Sequence, residues 1–458
     1  MSSHTPHPSS YRDPAGFIFE KDGSLYRQVN QSFKEDFDLF ISGGCYTNLV
    51  KKGLLVSHEK IDQNFTGDMQ WYTTLKPEHI PFISYPYEWS FDMLKDSSLL
   101  TLAVLKEALA TGMILKDASP YNIQWHKGRL VFIDSLSFER YDEMTPWIAY
   151  RQFCEHFLSP LLLAHYSKLP VHELLLPYSD GIPLLVTSSL LPWKTHYSLH
   201  TYLHIHLHAK YSLKTPGQGD KKTAFSKKKL LNLITSLEVL INKLKTPENK
   251  TAWSEYYDEA SARGNYLEHK QELIRQWLVQ IKPTAVTDLG ANKGEFSKLA
   301  AAFGMSVIAT DFDAACINEL YREIKRTGEQ HILPLIIDLS KPSPAIGVNN
   351  QERASFIDRT DTDMVFALAL IHHLAIGKNI PFEKIAAFFQ QITRYLIIEF
   401  VPKQDEKVQL MLGQKKDIYQ GYTAEDFEAA FKTHFTIEAK EKISGSERTL
   451  YRMKRNEG

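Results

Sequence analysis

The feature that most constrains the fold is an alternation of short apolar runs with helical stretches in the C-terminal half of the chain. The helical stretches cover residues 295–303, 314–326 and 372–389. The apolar runs between them cover residues 285–289, 307–310, 332–337, 364–369 and 395–400. Short apolar strands that alternate with helices are typical of a parallel sheet covered by helices on both faces. The pattern therefore predicts an α/β fold with a doubly wound, Rossmann-like sheet.

Length and composition predict more than one domain. A chain of 458 residues is long enough for two or three domains of ordinary size. The clearest break in composition is the lysine-rich stretch 210–229, which cannot build a core. We therefore predict four parts. They are a disordered lead-in (1–12), an α+β domain (13–210), a basic linker with a connecting helix (211–249) and the α/β domain (250–458). The lysine run is a solvated tether or a contact for phosphate or an acidic partner.

Charge and cysteine usage narrow the class of protein. Lys plus Arg total 53 against 54 Asp plus Glu, which argues against a nucleic-acid binder that relies on bulk positive charge. Three distant cysteines exclude a disulfide scaffold or a Cys-rich zinc module. No apolar run reaches the length of a membrane span, and the first residues lack the apolar core of a signal peptide. We expect an intracellular, cytoplasmic protein.

One segment, VTDLGANKGEF, carries the strongest chemical signal because it lies where a strand passes into a helix. Gly290 and Gly294 permit a tight turn and a close approach of the backbone to a ligand. Asp288 ends the strand before this turn. Asp311 follows at the end of the second strand, where an acid suits the hydroxyls of a ribose. Asp338 ends the third strand. Three strand-end acids suit a cationic amino-acid nucleoside better than a polyphosphate.

This segment resembles the first motif of class I S-adenosylmethionine-dependent methyltransferases, in which an acid precedes a Gly-x-x-x-Gly turn. The alternative is an unrelated α/β fold with acids at its strand ends by chance. The resemblance implies S-adenosylmethionine as the cofactor. It assigns Asp288, Gly290, Asn292 and Gly294 to the methionine end, Asp311 to the ribose, Asp338 to the adenine amine, and Ala369 of the fourth-strand phrase to the cofactor as well.

Candidate catalytic residues follow the fourth and fifth strands. His372 and His373 lie towards the end of the phrase MVFALALIHHL, where one of them could accept a proton from an attacking hydroxyl or amine. Alternatively, both cap the strand. Glu399 interrupts the apolar run YLIIEF, so it acts in the site or pairs with a cation such as Arg353 or Arg359. Candidate substrate residues are Arg353, Lys403 and Tyr422.

Longer phrases, among them PLIIDLSKPSPAIG and IIEFVPKQD, resemble the nodulation-protein-type family of bacterial methyltransferases. The resemblance implies methyl transfer to an oxygen or nitrogen atom of an unidentified acceptor, with a small molecule or a glycan favoured. The competing hypothesis is a non-catalytic scaffold that binds S-adenosylmethionine. A nucleic-acid substrate is disfavoured, since the basic residues cluster in the linker without interleaved aromatics.

In the N-terminal half, LKDASPYNIQWHKGRLVFID resembles the catalytic loop and metal-binding acid of protein kinases and aminoglycoside-type phosphotransferases. Asp117 would orient a hydroxyl, and Asn122 and Asp134 would hold Mg²⁺. The histidine that usually precedes the first aspartate is absent, and no Gly-rich phosphate loop is evident. We favour a kinase-like scaffold without phosphotransfer that shapes the substrate site or recruits a protein partner. A chance match and an active kinase remain the alternatives.

Five histidines cluster at residues 196–208, and the first three share a four-residue spacing. Such spacing could present metal ligands on one face of a helix, but no cysteine or carboxylate joins them. A packed, aromatic-rich surface helix is therefore favoured, and no metal is predicted.

Overall fold

The computed structural model describes residues 5–212, 225–246, 265–413 and 418–457. The chain divides into two compact units. The first unit comprises Met1–Glu248 and Gly347–Arg353, and the second comprises Asn249–Ile346 and Ala354–Gly458. The division departs from the predicted parts because the helix Lys227–Lys243 and the segment Gly347–Arg353 both belong to the first unit. Residues 213–224 and 247–249 of the predicted linker lie outside the described residues.

The first unit begins with an antiparallel sheet in the order β1-β2-β3-β5-β4. Its strands are β1 (Thr5–Pro6), β2 (Gly16–Lys21), β3 (Ser24–Asn30), β4 (His58–Ile61) and β5 (Trp71–Pro77). Asp22 and Gly23 both have positive φ, as a two-residue hairpin between β2 and β3 requires. The prediction of a disordered lead-in is wrong for residues 5–12, because Thr5 pairs with Glu20 in this sheet.

Two short strand pairs and a set of helices complete the first unit. The pairs are β6 (Met113–Leu115) with β9 (Phe138–Arg140), and β7 (Ile123–His126) with β8 (Arg129–Phe132). The helices are α1 (Lys34–Ser42), α2 (Cys45–Lys51), α3 (Phe91–Ala110), α4 (Tyr150–Phe153), α5 (Ser159–Ser167), α6 (Val171–Leu175), α7 (Leu184–Leu190), α8 (Leu199–Thr201), α9 (His208–Ser212) and α10 (Lys227–Lys243). Helix α3 is the buried centre, and the side chain of Ser90 caps its first turn, as serine commonly does. The unit therefore mixes helices with antiparallel strands, while its kinase-like character stays a prediction.

The second unit is built on a seven-stranded sheet in the order β12-β11-β10-β13-β14-β16-β15. Strands β10 to β14 are parallel and almost wholly buried, as expected where helices cover both faces. Strand β16 runs antiparallel between β14 and the edge strand β15. The strands are β10 (Ala285–Leu289), β11 (Ser306–Asp311), β12 (Ile332–Ile336), β13 (Thr362–Ala367), β14 (Thr393–Phe400), β15 (Phe435–Lys442) and β16 (Thr449–Arg455). The predicted α/β fold is confirmed for this unit.

The helices of the second unit begin and end where the local sequence dictates. The helices are α11 (Tyr266–Ile281), α12 (Glu295–Ala301), α13 (Ala314–Thr327), α14 (Phe356–Arg359), α15 (Phe382–Ile392), α16 (Glu406–Leu412) and α17 (Ala424–Lys432). The side chain of Asp313 accepts hydrogen bonds from the first amides of α13, and Gly328 ends that helix in a left-handed conformation, as helix caps of these types do. The predicted single helix over 372–389 is wrong, because a π-helical turn, His373–Gly377, precedes a separate helix that starts after Pro381. Among the described residues, no helix has the length and apolarity needed to cross a membrane.

Candidate active site

A cleft opens at the carboxyl edge of the parallel sheet in the second unit, where β10 and β13 lie side by side. The sheet grows in opposite directions from this pair, towards β12 on one side and β14 on the other. Open α/β sheets bind ligands at such a switch point. The cleft encloses about 1240 Å³ including its open mouth. Its lining residues are Tyr266, Leu267, Lys270, Asp288, Gly290, Asn292, Phe296, Asp311, Phe312, Ile337, Asp338, Leu339, Leu368, Ala369, Leu370, His373, Leu374, Gly377 and Lys378.

The turn after β10 passes through left-handed backbone conformations at Gly290, Asn292 and Gly294, with φ of 78°, 52° and 78°. A side chain at Gly290 would meet no atom closer than 3.5 Å, so its backbone conformation selects glycine there. A side chain at Gly294 would also approach Leu320 within 2.8 Å, so this glycine lets α12 pack against α13. The predicted tight turn is confirmed, whereas the ligand it would hold stays a prediction.

Two buried carboxylates face the cleft with few donors around them. Burial raises the pKa of Asp288 to about 6, although the hydroxyl of Ser297 donates to it over 2.6 Å. Burial likewise raises the pKa of Asp311 to about 6, although the amides of Asp313 and Asn292 donate to it over 2.9 and 2.8 Å. A raised pKa means that the ionised forms are poorly compensated. Both carboxylates are therefore suited to a ligand that brings hydrogen-bond donors or positive charge.

The far end of the cleft contains Asp338 and the residues that follow β13. Asp338 accepts hydrogen bonds from the amide and hydroxyl of Ser340, over 2.9 and 2.7 Å, and the ammonium of Lys378 lies 3.9 Å from it. Ala369 has a φ of 51°, a left-handed conformation that is rare for a residue other than glycine. Such conformations persist where the surrounding structure enforces them, often beside a ligand. The two residues thus line the cleft as the sequence predicts, and their contacts with a cofactor stay a prediction.

The adjacent histidines differ in access to the cleft. His373 lines it, whereas His372 is buried and does not. Burial and the nearby charge of Arg448 lower the pKa of His373 to about 4. Burial and His373 lower the pKa of His372 well below its usual range. Both rings are therefore uncharged at neutral pH. Of the two, only His373 lines the cleft, and a role of either histidine as the base stays a prediction.

Glu399 lies at the centre of a buried polar network behind the cleft lining. It accepts hydrogen bonds from Tyr266 over 2.6 Å, Lys270 over 2.6 Å and Arg448 over 3.2 Å. Arg448 also forms a two-pronged pair with Asp405 at 2.7 and 3.1 Å. Burial opposes the ionisation of Glu399, but Lys270 and Arg448 outweigh it and lower the pKa to about 2. Glu399 therefore positions two cations and is absent from the cleft lining, and its predicted catalytic role stays a prediction.

The predicted partners of Glu399 are also corrected. Arg353 belongs to the first unit, where its guanidinium lies 3.8 Å from the centre of the Tyr121 ring. Arg359 ends α14 and donates to the carbonyl of Ala354 over 3.2 Å. Of the two alternatives that the sequence left open for an acid inside an apolar strand, Glu399 does pair with cations, but these come from distant segments.

Of the three predicted substrate residues, Lys403 and Tyr422 are absent from the cleft lining. Arg353 belongs to the first unit, where it stacks on Tyr121. Tyr422 is buried, its hydroxyl donates to the carbonyl of Val401 over 2.7 Å, and its ring stacks on Phe400. Lys403 accepts a hydrogen bond at its carbonyl from the side chain of Gln409, as part of the entry to α16. The substrate assignments of these three residues stay predictions.

Tyr266 and Lys270 line the cleft and were missed from the sequence. They share one face of α11 with Ile274 and Trp277, all buried. The ammonium of Lys270 also lies 4.7 Å from the centre of the Phe296 ring. A lysine at a core-facing position of an amphipathic helix could have been recognised, since a buried lysine requires a partner.

In the first unit, the three kinase-like residues converge. The side-chain amide of Asn122 donates to the hydroxyl of Ser137 over 3.3 Å, and that hydroxyl donates to Asp134. Asp117 accepts a hydrogen bond from the side chain of Gln152 over 2.8 Å. Burial and the charge of Asp134 raise the pKa of Asp117. The sequence spacing therefore identified residues that are neighbours in space.

A cation from β3 already engages Asp134. The guanidinium of Arg27 pairs with one carboxylate oxygen of Asp134, and Ser137 donates to the other. Burial opposes ionisation of Asp134, but Arg27 and Ser137 lower its pKa overall. In protein kinases the corresponding acid binds Mg²⁺. Among the described residues, no group of three His, Cys, Asp or Glu is placed to hold a metal ion.

The segment Gly347–Arg353 contacts the same loop of the first unit. Arg353 stacks on Tyr121, which lies between Asp117 and Asn122 in sequence. The neighbouring Glu352 accepts hydrogen bonds from Tyr11 over 3.0 Å and from Arg12 over 2.9 Å. The kinase-like loop is therefore packed against the unit's own residues.

Three of the five clustered histidines bond to hydroxyl groups, His196 bonds to the carbonyl of Trp193, and His208 stacks on Tyr150. His200 and His204 both bond to Ser236 over 2.8 Å, and His206 bonds to Thr195 over 2.8 Å. A π-helical segment, Tyr202–Leu207, interrupts the four-residue spacing. The packed helix that the sequence favoured over a metal site is the arrangement found.

Known proteins were compared with the whole chain. No family model matches it. Among solved structures, the magnesium protoporphyrin IX methyltransferase (ChlM) from Synechocystis PCC 6803 with bound SAH is 18% identical. The match covers 46% of this chain and 90% of that one, with a TM-score of 0.30. The N-methyltransferase NodS from Bradyrhizobium japonicum WM9 is 14% identical, over 42% and 98% of the two chains, with a TM-score of 0.31.

A curated relative matches over nearly the full length. The nodulation protein NoeA of Rhizobium meliloti (strain 1021) is 32% identical over 460 residues, covering 98% of this chain and 96% of that protein. This finding confirms the nodulation-type resemblance of the longer sequence phrases. The chain belongs to the NoeA family of nodulation proteins.

Proposed function

We propose that the second unit is an S-adenosylmethionine-dependent methyltransferase that acts on an oxygen or nitrogen atom of a small molecule or a glycan. The observation that carries the proposal is the meeting of Asp288, Asp311 and Asp338 in one cleft. That cleft lies at the switch point of the sheet, beside a left-handed turn that brings the backbone close to a ligand. Cytoplasmic location is part of the same proposal, since the three cysteines are free, as is usual in a reducing compartment.

The residues of the cleft fit this cofactor. Backbone amides donate to both oxygens of Asp311, and these oxygens could also accept from two ribose hydroxyls. Asp338 would accept from the adenine amine, between the apolar side chains of Ile337 and Leu339. Asp288 would face the ammonium group of the methionine end, and Lys270 would face its carboxylate. When bound, S-adenosylmethionine supplies a methyl group on a positively charged sulfur.

The protein's own residues would act mainly by positioning the acceptor in a cleft with a largely apolar lining. His373 would accept a hydrogen bond from the acceptor hydroxyl or amine, because its ring is neutral above about pH 4. Glu399 would act as a positioning residue, since it holds Lys270 at the wall of the cleft.

Calorimetric titration of the full-length protein with S-adenosylmethionine and S-adenosylhomocysteine tests the proposal. We expect wild-type binding and a loss of at least about tenfold in affinity for Asp288→Ala and Asp311→Ala, as for a removed charged hydrogen bond. Glu441→Ala, an exposed carboxylate on β15, is the matched control. Wild-type affinity in both cleft variants would contradict the assignment.

A second candidate function is a non-catalytic scaffold that binds the same cofactor. Two observations favour it. Of the catalytic candidates His372, His373 and Glu399, only His373 lines the cleft. The pKa of His373 is about 4, which makes it a weak base. The two functions differ in turnover, because only the enzyme produces S-adenosylhomocysteine when incubated with cell extract as a source of acceptor.

For the first unit we propose a kinase-like scaffold without phosphotransfer. The ion pair between Arg27 and Asp134 supports this, because the acid that would hold Mg²⁺ already has a permanent cation. Without phosphotransfer, the role that we propose for this unit is to bind a protein partner. The test is the unfolding temperature of the full-length protein with Mg-ATP. A magnesium-dependent rise would contradict the proposal.

A further inference from the structure

Residues 185–211 expose an unusual amount of apolar surface. Seven of the twenty large apolar side chains that are exposed among the described residues lie in this short stretch. Trp193, Tyr197 and Leu199 are 71%, 74% and 67% exposed, and the rings of Trp193 and Tyr197 are in contact at 4.8 Å. We call this set the apolar surface; its members are Leu185, Leu190, Trp193, Tyr197, Leu199, Leu203 and Tyr211.

Two of the five histidines of this segment are buried while several of its apolar side chains are exposed. His204 and His206 are 2% and 1% exposed and bond to hydroxyl groups of neighbouring elements. Leu203, which adjoins His204, is exposed. A water-facing helix normally turns its histidines outwards and its leucines inwards. In this segment Ile205 and Leu191 are buried as usual. Trp193, Tyr197, Leu199 and Leu203 are nevertheless exposed, while all five histidines are bonded or stacked by neighbours.

The charged side chains within residues 181–212 are all positive, although Asp180 directly precedes this window and the charge of Glu155 acts on His208. Residues 181–212 contain Lys194 and Lys210 and no aspartate or glutamate, in a chain with a net charge of −1. Lys168 adds a third cation, because its neighbour Ser167 bonds to the carbonyl of Leu190 within the surface. The sequence continues from Tyr211 into the lysine-rich run that ends at Lys229. A partner surface for this region would therefore be negative and apolar at once.

We propose that the apolar surface docks the protein on an anionic lipid bilayer. Tryptophan, tyrosine and leucine side chains enter the interface between headgroups and acyl chains, and lysines at their margin attract anionic lipids. A protein partner would also accept apolar groups, but the absence of acids alongside the lysines in residues 181–212 matches a uniformly negative bilayer surface. This docking is independent of the proposed methyl transfer.

Vesicle flotation of the full-length protein tests the proposal. The probes are vesicles of pure phosphatidylcholine and of phosphatidylcholine mixed with phosphatidylglycerol. We expect binding at least about tenfold tighter to the anionic vesicles and weakened by salt. Trp193→Ala combined with Tyr197→Ala should lose at least about tenfold. Met69→Ala is the matched control, since Met69 is 95% exposed in the same unit and outside the surface.

A second measurement keeps the proposal testable if the double variant is unstable. Vesicles with brominated acyl chains should quench the fluorescence of Trp193, and Trp193→Phe should abolish that part of the quenching while preserving binding. Lys194→Glu combined with Lys210→Glu should reduce selectivity for anionic vesicles. Absence of wild-type binding, or equal binding to both vesicles, would overturn the proposal. So would a concentration-dependent dimer that the Trp193 and Tyr197 substitutions abolish, because the surface would then belong to a second copy.

Discussion

Replacing Asp288 by asparagine should stabilise the free protein at neutral pH and weaken cofactor binding at the same time. The substitution keeps the shape of the side chain and an oxygen that can accept the hydrogen bond from Ser297. It removes a charge that burial disfavours, as the pKa of about 6 shows. Because the folded-state pKa is raised from 3.8 to about 6, the contribution of Asp288 to stability is fully present below the unfolded value and is lost as the pH rises through the folded one.

The magnitude follows from the same pKa. A rise from 3.8 to about 6 corresponds to about 3 kcal/mol of unfavourable ionisation at neutral pH. The asparagine amide is itself buried and keeps part of this penalty, so we expect a gain of about 1–2 kcal/mol in the free energy of unfolding. For a unit of this size that gain corresponds to an unfolding temperature raised by about 2–8 °C.

Differential scanning calorimetry at pH 5 and pH 8, without ligand, measures this effect. The gain should be present at pH 8 and shrink at pH 5. Asp311→Asn is an informative contrast, because Asp311 accepts amides at both of its oxygens and an asparagine would leave one of them facing an NH₂ group. A loss of stability in Asp288→Asn at pH 8, or a gain independent of pH, would refute the reasoning.

Three further variants test other parts of the structure. Glu399→Gln should lower the free energy of unfolding by about 3–5 kcal/mol in urea titrations, because it leaves the buried Lys270 without its carboxylate partner and Arg448 with Asp405 alone. In the wild type the contribution of Glu399 is present above its ordinary pKa of 4.5 and is lost only as the pH falls towards about 2, since a depressed folded-state pKa protects the ionised form. His373→Gln should reduce turnover at saturating cofactor by about tenfold or more. The turnover of the wild type should not fall between pH 8 and pH 6 through protonation of His373, because the pKa of that residue is about 4. Arg27→Met should free Asp134 and allow a magnesium-dependent thermal shift with ATP that the wild type lacks.

The parallel part of the sheet could be predicted because it is buried on both faces. Strand β10 has the bounds that its apolar run predicts, and the helix 314–327 ends at the glycine that follows it. Strands β15 and β16 could not be predicted in the same way. Their sequences, FTIEAKEK and TLYRMKR, mix apolar with charged residues, since β15 is an exposed edge strand. The predicted helix over 372–389 is too long, because apolar periodicity alone does not show the break in the chain before Pro381.

The residues of the candidate site also differ in how far the sequence predicts their position. Residues at or just after the carboxyl end of a parallel strand could be placed from sequence, because these ends share one edge of the sheet. Asp311 and His373 are examples. Residues whose position depends on partners far along the chain could not. The pair formed by Lys270 and Glu399 spans 129 residues, and Arg27 on β3 is likewise far in sequence from Asp134. Pairing with a cation was one of two sequence predictions for Glu399, but the choice among cations is made by the packing of α11 and the loop before β16.

Under the proposed methyl transfer, the charges of the cleft should also distinguish the cofactor from its product. With Asp288 and Asp311 ionised, the unliganded cleft contains negative charge that burial leaves poorly compensated. S-adenosylmethionine carries one positive charge more than S-adenosylhomocysteine, so its binding should compensate this charge better and favour release of the product. Protonation of both carboxylates below about pH 6 removes the difference. The ratio of the two dissociation constants, measured by calorimetry at pH 8 and pH 5, should therefore fall towards one at the lower pH. A ratio that does not change with pH would assign discrimination to contacts with the methyl group instead of to charge.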